Sequence, residues 1–338
     1  RSVSLGIIAN PASGKDIRRL VAHSITFNNQ EKVNIVQRAI LGMEKVGIKK
    51  IMYMPDYYGI VPRALDGLPN SYHLHVQLVE ANMEMTGTQE DSTRAAEIMN
   101  QSGAGCIFTL GGDGTNRMVA KGCGEVPLLP ISTGTNNVFP QMLEGTTAGI
   151  AAGIVARGLI KKDAAVKKMK KIEVLKDGQL VDMALVDAVV LKDVFIGSRA
   201  IWDEERIQQV VVTRGDPISI GISAIAGNLQ LVEINDKYGM AINIGPGKTT
   251  VMVPIAPGLI KQIPIKDYQL INPGEEIKVA QGPCVIALDG EREIEVGEND
   301  NYSLKISLNG PRVIDTRLAL REAVAKGLFI SEQLIKTS

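Results

Sequence analysis

A chain of 338 residues is long for one hydrophobic core and comfortable for two domains. Its 37 basic and 37 acidic side chains cancel, so the chain as a whole offers no electrostatic case for a nucleic-acid or membrane surface. The three cysteines, Cys106, Cys123 and Cys284, are odd in number and lack Cys-x-x-Cys spacing, which reads as reduced, buried thiols. No apolar run approaches a membrane span and the start carries no signal-peptide pattern, so a cytoplasmic protein without stable membrane association is expected. The first residue is Arg1 rather than Met, and a few native residues are expected to precede it.

Residues 3–9 read as a buried strand that stops at Asn10-Pro11 and turns through Ser13-Gly14, leaving Lys15 at the strand's carboxyl end, where open α/β sheets bind ligands. This is not a Walker A loop: Ala9 stands where the first Gly belongs and Asp16 where Ser or Thr should follow Lys. A helix is predicted over 31–47 and a strand over 48–54. Residues 73–79 alternate like a half-exposed strand that sets His73 and His75 on one face, without a visible third metal ligand. A helix over 91–102 feeds the apolar run 104–110, which reads as a buried parallel strand.

That strand breaks on Gly111-Gly112-Asp113-Gly114-Thr115, and a helix is predicted from Asn116 to Lys121. Glycines between a strand and a helix leave backbone N–H groups pointing at one spot, at the positive end of a helix dipole, which attracts phosphate. The carboxylate of Asp113 beside such an anion site is costly unless a cation or a reacting hydroxyl needs it, so the stretch reads as a phosphoryl-transfer loop. The next strand, 126–131, runs into Ser132-Thr133-Gly134-Thr135-Asn136-Asn137, whose hydroxyls and amides sit at a neighbouring strand end and can complete a nucleotide pocket. Residues 147–158 look like a closely packed helix of small residues.

Lys161, Lys162, Lys167, Lys168, Lys170 and Lys171 form the one charge cluster, read as a solvated connector between domains. Beyond it helical periodicity fades. A hairpin is predicted at Lys176-Asp177-Gly178 between runs 171–175 and 179–191, followed by β runs at 206–213, 240–244, 249–253, 276–279, 285–288 and 302–308. Gly245-Pro246-Gly247-Lys248-Thr249 is rejected as a P-loop, because its first Gly would fall on Ile242, between strands. Asp289 and Glu291 flank Gly290 in a turn, candidates for metal binding or for taking a proton from a hydroxyl. Asp315-Thr316 caps a last helix over 317–326, ended by Gly327.

Asn10-Pro11-x-Ser13-Gly14-Lys15, Gly111-Gly112-Asp113-Gly114-Thr115, Gly134-Thr135-Asn136-Asn137 and Leu288-Asp289-Gly290-Glu291, in that order, resemble the superfamily of NAD kinases and diacylglycerol/sphingosine-type lipid kinases. Residues 197–203 and 132–140 look most like its acetoin-catabolism protein X branch. The resemblance implies an α/β fold: a Rossmann-like parallel-sheet domain (1–162), a β-rich, sandwich-like domain (163–311) and a tail (312–338) returning to the first, with the active cleft between the domains. It also implies ATP and Mg²⁺, NAD as a possible substrate, and a homo-oligomer.

Carried over by position, Gly111, Gly112, Gly114 and Thr115 hold nucleotide phosphates with Asn10, Ser13, Gly14, Lys15, Gly134, Thr135, Asn136 and Asn137. Asp113 matches the acid NAD kinases use on the ribose hydroxyl, Glu291 the base of lipid kinases, and Asp289 shares the second motif. The motifs do not choose between them, although placement within the phosphate loop mildly favours Asp113. Asp187 matches the substrate-gripping acid of NAD kinases, but Val186 replaces its companion Asn, and Asn137 replaces an Asp of lipid kinases. An ATP-dependent kinase of a small hydroxyl compound is the first expectation. A nucleotide-binding protein without turnover and a lipid kinase are the alternatives.

Overall fold

The computed structural model describes residues 4–12, 28–134, 137–192 and 206–331. The positions Ser13, Gly14, Lys15, Thr135, Asn136 and 197–203 lie outside these.

The first half alternates strands and helices: β1 (Ser4–Ala9), α1 (Asn29–Lys45), β2 (Lys50–Tyr53), α2 (Ile60–Asp66), β3 (Gln77–Glu80), α3 (Glu90–Gln101), β4 (Ile107–Leu110), α4 (Asp113–Ala120), β5 (Leu128–Ile131), α5 (Gly145–Ala156), α6 (Lys162–Ala165) and β6 (Val166–Lys168). The second half contains β7 (Lys171–Lys176), β8 (Gln179–Ala184), β9 (Asp187–Leu191), β10 (Ile207–Val212), α7 (Ile222–Leu229), β11 (Gly239–Ala256), β12 (Leu259–Ile271), β13 (Glu276–Lys278), β14 (Cys284–Leu288), β15 (Glu291–Val296), β16 (Tyr302–Ser307), β17 (Arg312–Ile314) and α8 (Thr316–Ala325).

Among the described residues the first sheet runs β3-β2-β1-β4-β5-β17-β6. It is parallel except for the edge strand β6, which pairs antiparallel with β17. Residues 5–9 of β1 and all of β4 and β5 are buried, which explains their unbroken apolar runs. Helices cover both faces. Val36, Ile40 and Met43 of α1 pack with Ala148, Ala151 and Val155 of α5 on one side. Ala95, Ala96 and Met99 of α3 pack with Val119 and Cys123 on the other. The chain leaves β1 toward β2 and β3, then returns to β4 on the opposite side. The β1/β4 boundary is therefore a topological switch point, where open α/β sheets place ligands.

The second half forms a sheet in the order β12-β11-β10-β9-β14-β15 and another in the order β13-β16-β7-β8. Their facing sides share one core, with Ile172, Val174, Leu304 and Ile306 against Val190, Val211 and Ile286. The other face of the larger sheet packs on Ile222 and Ile225 of α7. β17 then carries the chain back into the first sheet, and Asp315 caps α8 by accepting from the Leu318 amide at 3.0 Å.

Several elements differ from the sequence reading. The glycine turn is shorter than expected, because α4 already begins at Asp113, N-capped by Gly112. His73 and His75 precede β3 instead of lying in it. The run 179–191 is two strands in two sheets, broken at Leu185-Val186; both residues are buried, so hydropathy gives no sign of the break. The β runs at 240–244 and 249–253 are one long strand, β11, which shifts register across Gly245-Pro246-Gly247. Its partner β12 alternates buried and exposed residues through Ile263 and Ile265, and β15 and α7 were also missed. The hairpin at Asp177-Gly178 is present, both residues having positive φ, 50° and 77°, the signature of a tight primed turn.

Candidate active site

The switch point brings together the turn after β1 and the turn after β4. The Asn10 side-chain amide donates to Thr115 Oγ1 at 2.9 Å, tying one strand end to the other. Lys32 on α1 is fully buried and donates from Nζ to the carbonyl oxygens of Asn10 (3.2 Å) and Pro11 (3.0 Å), which fixes the first turn. Asn116 is buried as well. It accepts from Thr109 Oγ1 at 2.7 Å and donates to the Gly112 carbonyl at 2.9 Å, clamping the bend between β4 and α4. Gly111 has to be glycine here: a Cβ would lie 2.6 Å from the Thr115 Cβ. The amides of Gly114 and Thr115, in the first turn of α4, form no hydrogen bond among the described residues and so remain open to an anion.

Asp113 does not point freely into this space. Its Oδ1 accepts from the amides of Val138 (3.0 Å) and Phe139 (2.8 Å), so the carboxylate anchors the loop after β5. Asn137 returns the contact, its Oδ1 accepting from the Asp113 amide at 3.3 Å and its amide donating to Ser132 Oγ at 3.2 Å. Ser132 Oγ in turn donates to the Gly134 carbonyl at 2.6 Å. The glycine turn and the Ser132–Asn137 loop are thereby one hydrogen-bonded unit.

The second half of the chain adds its acids at the β14–β15 turn. Asp289, at φ 49°, is buried and accepts from the amides of Leu185 (2.7 Å), Val186 (2.7 Å) and Asp187 (3.1 Å). Burial, with the Asp113 charge behind it, pushes the Asp289 carboxyl up to about 7, against these amide bonds. Asp187, at the head of β9, is held by this clasp through its own amide and carbonyl. Glu291 is different. It is exposed and reaches across the domain boundary to α4: a Cβ built on Gly114 would sit 3.1 Å from Glu291 Oε1.

Three further residues were not marked by the sequence as buried cations. Arg117, on α4, looks like an ordinary surface helix residue yet is fully buried. Its Nε donates to the Met183 carbonyl at 2.7 Å, and its guanidinium pairs with Asp182 at 2.7 Å and Glu293 at 3.3 Å, locking α4 to β8 and β15. Burial acts to raise the Asp182 carboxyl, but hydrogen bonding from Lys121 and the charge of Arg117 hold it below its usual range. Arg214 lies over the Phe139 ring, 5.5 Å from its centroid, and feels both Asp113 and Asp289. Lys170 is likewise buried, its Nζ on the carbonyls of Glu233 and Tyr238.

The lysine cluster disperses: Lys167 and Lys168 are exposed on edge strand β6, where charge discourages sheet extension, and Lys170 is inside. Among the described residues no group of three or more His, Cys, Asp or Glu could hold a metal by itself, and no helix is long and apolar enough to cross a membrane. A phosphate-bound Mg²⁺ fits what is present. Open amides invite an anion, and a cation between that anion and the nearby Glu291 carboxylate would offset their repulsion.

Comparison with known proteins matches the same two halves. Residues 5–160 match the model of the ATP-NAD kinase N-terminal domain, and residues 170–309 that of the acetoin catabolism protein X C-terminal domain. Acetoin catabolism protein X of Cupriavidus necator is 37% identical over 336 residues, covering 94% of this chain and 92% of that one. Among solved structures, yeast NADH kinase complexed with NADH superposes with a TM-score of 0.51 at 14% identity, over 98% of this chain and 90% of that one. That likeness is one of fold.

Proposed function

We propose, since the chain belongs to the acetoin catabolism protein X family, that it is an ATP-dependent phosphotransferase acting on a hydroxyl of a small molecule, with NAD the first acceptor to test. The observation that carries this reading is Glu291 poised over the open first turn of α4. Phosphoryl transfer asks little of a protein beyond positioning, charge neutralisation and a base for the attacking hydroxyl. The amides of Gly114 and Thr115 hold phosphate oxygens, with Gly111, Gly112, Asn10 and Asn137 shaping the turn. ATP brings the phosphoryl group, and Mg²⁺ neutralises the phosphate charge that would otherwise repel Glu291.

Glu291 takes the acceptor's proton. It stands beside Gly114 in the first turn of α4, at the amides that face the anion, whereas Asp113 accepts from the Val138 and Phe139 amides and Asp289 from three amides of the second half. Asp113 and Asp289 are therefore positioning residues in this scheme, which departs from the preference for Asp113 that loop placement alone gives. Asp187, fixed by Asp289, orients the acceptor. Ser13, Gly14, Lys15, Thr135 and Asn136 are assigned to the nucleotide by resemblance alone.

A nucleotide-binding protein without turnover is the second reading, favoured by the commitment of Asp113 to backbone and by Val186 at the place of an Asn. Thermal-shift titration with ATP, NAD and NADH, with and without Mg²⁺, followed by product analysis, separates the two. A nucleotide shift with phosphorylated product supports the kinase. A shift without product supports the second reading, and no shift with any nucleotide overturns both.

A further inference from the structure

The described residues enclose a cavity of about 160 Å³ lined by none of the glycine-turn residues and not by Glu291. It lies between the end of β5, the loop 139–143, edge strand β6 and the β17–α8 junction, with Ile234 and Asn235 closing it from the second domain. Its wall is mixed: Leu143, Met169, Ile234 and Val313 around Phe139 supply the apolar part, and Gln141, Lys167, Asn235, Asp315 and Thr316 a polar part of similar extent. Two polar wall residues stand out, Thr316, whose buried Oγ1 has no hydrogen-bond partner among the described residues, and Arg214. Arg214 is 9% exposed and stacks over Phe139, and its guanidinium, with five N–H donors, donates among the described residues only to the Val138 carbonyl at 3.5 Å and Met169 sulfur at 3.8 Å.

Arg214 makes no ion pair among the described residues. The two carboxylates that act on it from a distance, Asp113 and Asp289, have spent their oxygens on backbone amides. Lys170, which feels the charge of Arg214, is a second buried cation, and its ammonium is turned to backbone carbonyls. A buried guanidinium with idle donors beside a partly apolar hollow lacks an anion. Lys167 adds positive charge to the lining, while the Asp315 carboxylate is occupied in capping α8.

We propose that this cavity is a second ligand site, which takes a small organic carboxylate with its head on Arg214 and a short apolar body against Leu143, Met169 and Val313. A single planar guanidinium matches a carboxylate fork, and the apolar part of the wall and the size favour a few-carbon tail over a bare oxyanion. The site stands independently of the phosphotransfer reading, since it shares no lining residue with the glycine turn.

Calorimetric titration of the full chain with sodium butyrate, with inorganic phosphate in parallel, tests it. Butyrate is expected to bind saturably in the millimolar range, and more tightly than phosphate. Arg214→Met is expected to weaken it about tenfold or more. Ile234→Trp, made at a residue 42% exposed where the fold tolerates change, is expected to plug the cavity with a similar loss and leave the ATP-induced thermal shift intact. The proposal is overturned if butyrate shows no saturation to about 50 mM. Equal binding by wild type and Ile234→Trp, or tighter binding of phosphate than of butyrate, overturns it too.

Discussion

Asp113 looks in the sequence like a reactive acid in a phosphate loop, and in the fold it is the anchor of a neighbouring loop. Replacing it with Ala leaves the Val138 and Phe139 amides without their acceptor, at a cost of about 1–3 kcal/mol, read as a lowered urea midpoint. Asp289 makes a prediction in pH. Its folded carboxyl, pushed up to about 7, keeps a proton that the unfolded chain has already lost above about pH 4. The folded state binds more protons in that window, so this group's contribution to stability falls as pH rises from about 4 to about 7. Urea midpoints across that range should decline for wild type, and in Asp289→Asn, lower throughout for loss of an amide acceptor, that decline should flatten. The thiols are simpler: burial raises Cys106 and pushes Cys123 up to about 12, so both should resist a disulfide reagent at pH 8 until the chain unfolds.

At the scale of elements, the parallel sheet was legible because β1, β4 and β5 are buried on both faces and read as unbroken apolar runs between glycine or Asn-Pro stops. The Asp177-Gly178 hairpin was legible from turn chemistry. The start of α4 was not, since Gly and Asp are poor helix formers, and the helix reaches back to Asp113 with the Asn116 side chain on the Gly112 carbonyl and the distant Asn137 accepting from the Asp113 amide. The split of 179–191 between two sheets has no local mark either, because Leu185 and Val186 are buried and held by Asp289, a residue 104 and 103 positions away. Tightness at the β4–α4 bend yields a further expectation. Gly111→Ala drives a Cβ into Thr115 and should cost about 1–3 kcal/mol while weakening ATP binding, measurable by thermal shift with and without nucleotide.

Across the whole molecule, the proposed chemistry needs the first half to present amides and the second to present an acid. Arg117 holds that relation, and no pattern in the sequence marks it, because its partners Asp182 and Glu293 are distant in the chain. Arg117→Met leaves Glu293 and part of Asp182 without a buried partner and should cost about 3–5 kcal/mol, seen as a lower melting temperature. The motif glycines and the acids were readable as residues; that Asp113 accepts from the next loop's amides and that Glu291 reaches Gly114 of α4 became visible only with the loops folded around them. The most direct test of this account is ATP- and Mg²⁺-dependent transfer to NAD and other small hydroxyl acceptors, comparing wild type with Glu291→Gln. Product from wild type and a loss of about two to four orders of magnitude in rate for Glu291→Gln, with the ATP-induced thermal shift retained, is the predicted result. Transfer by Glu291→Gln at the wild-type rate would contradict it.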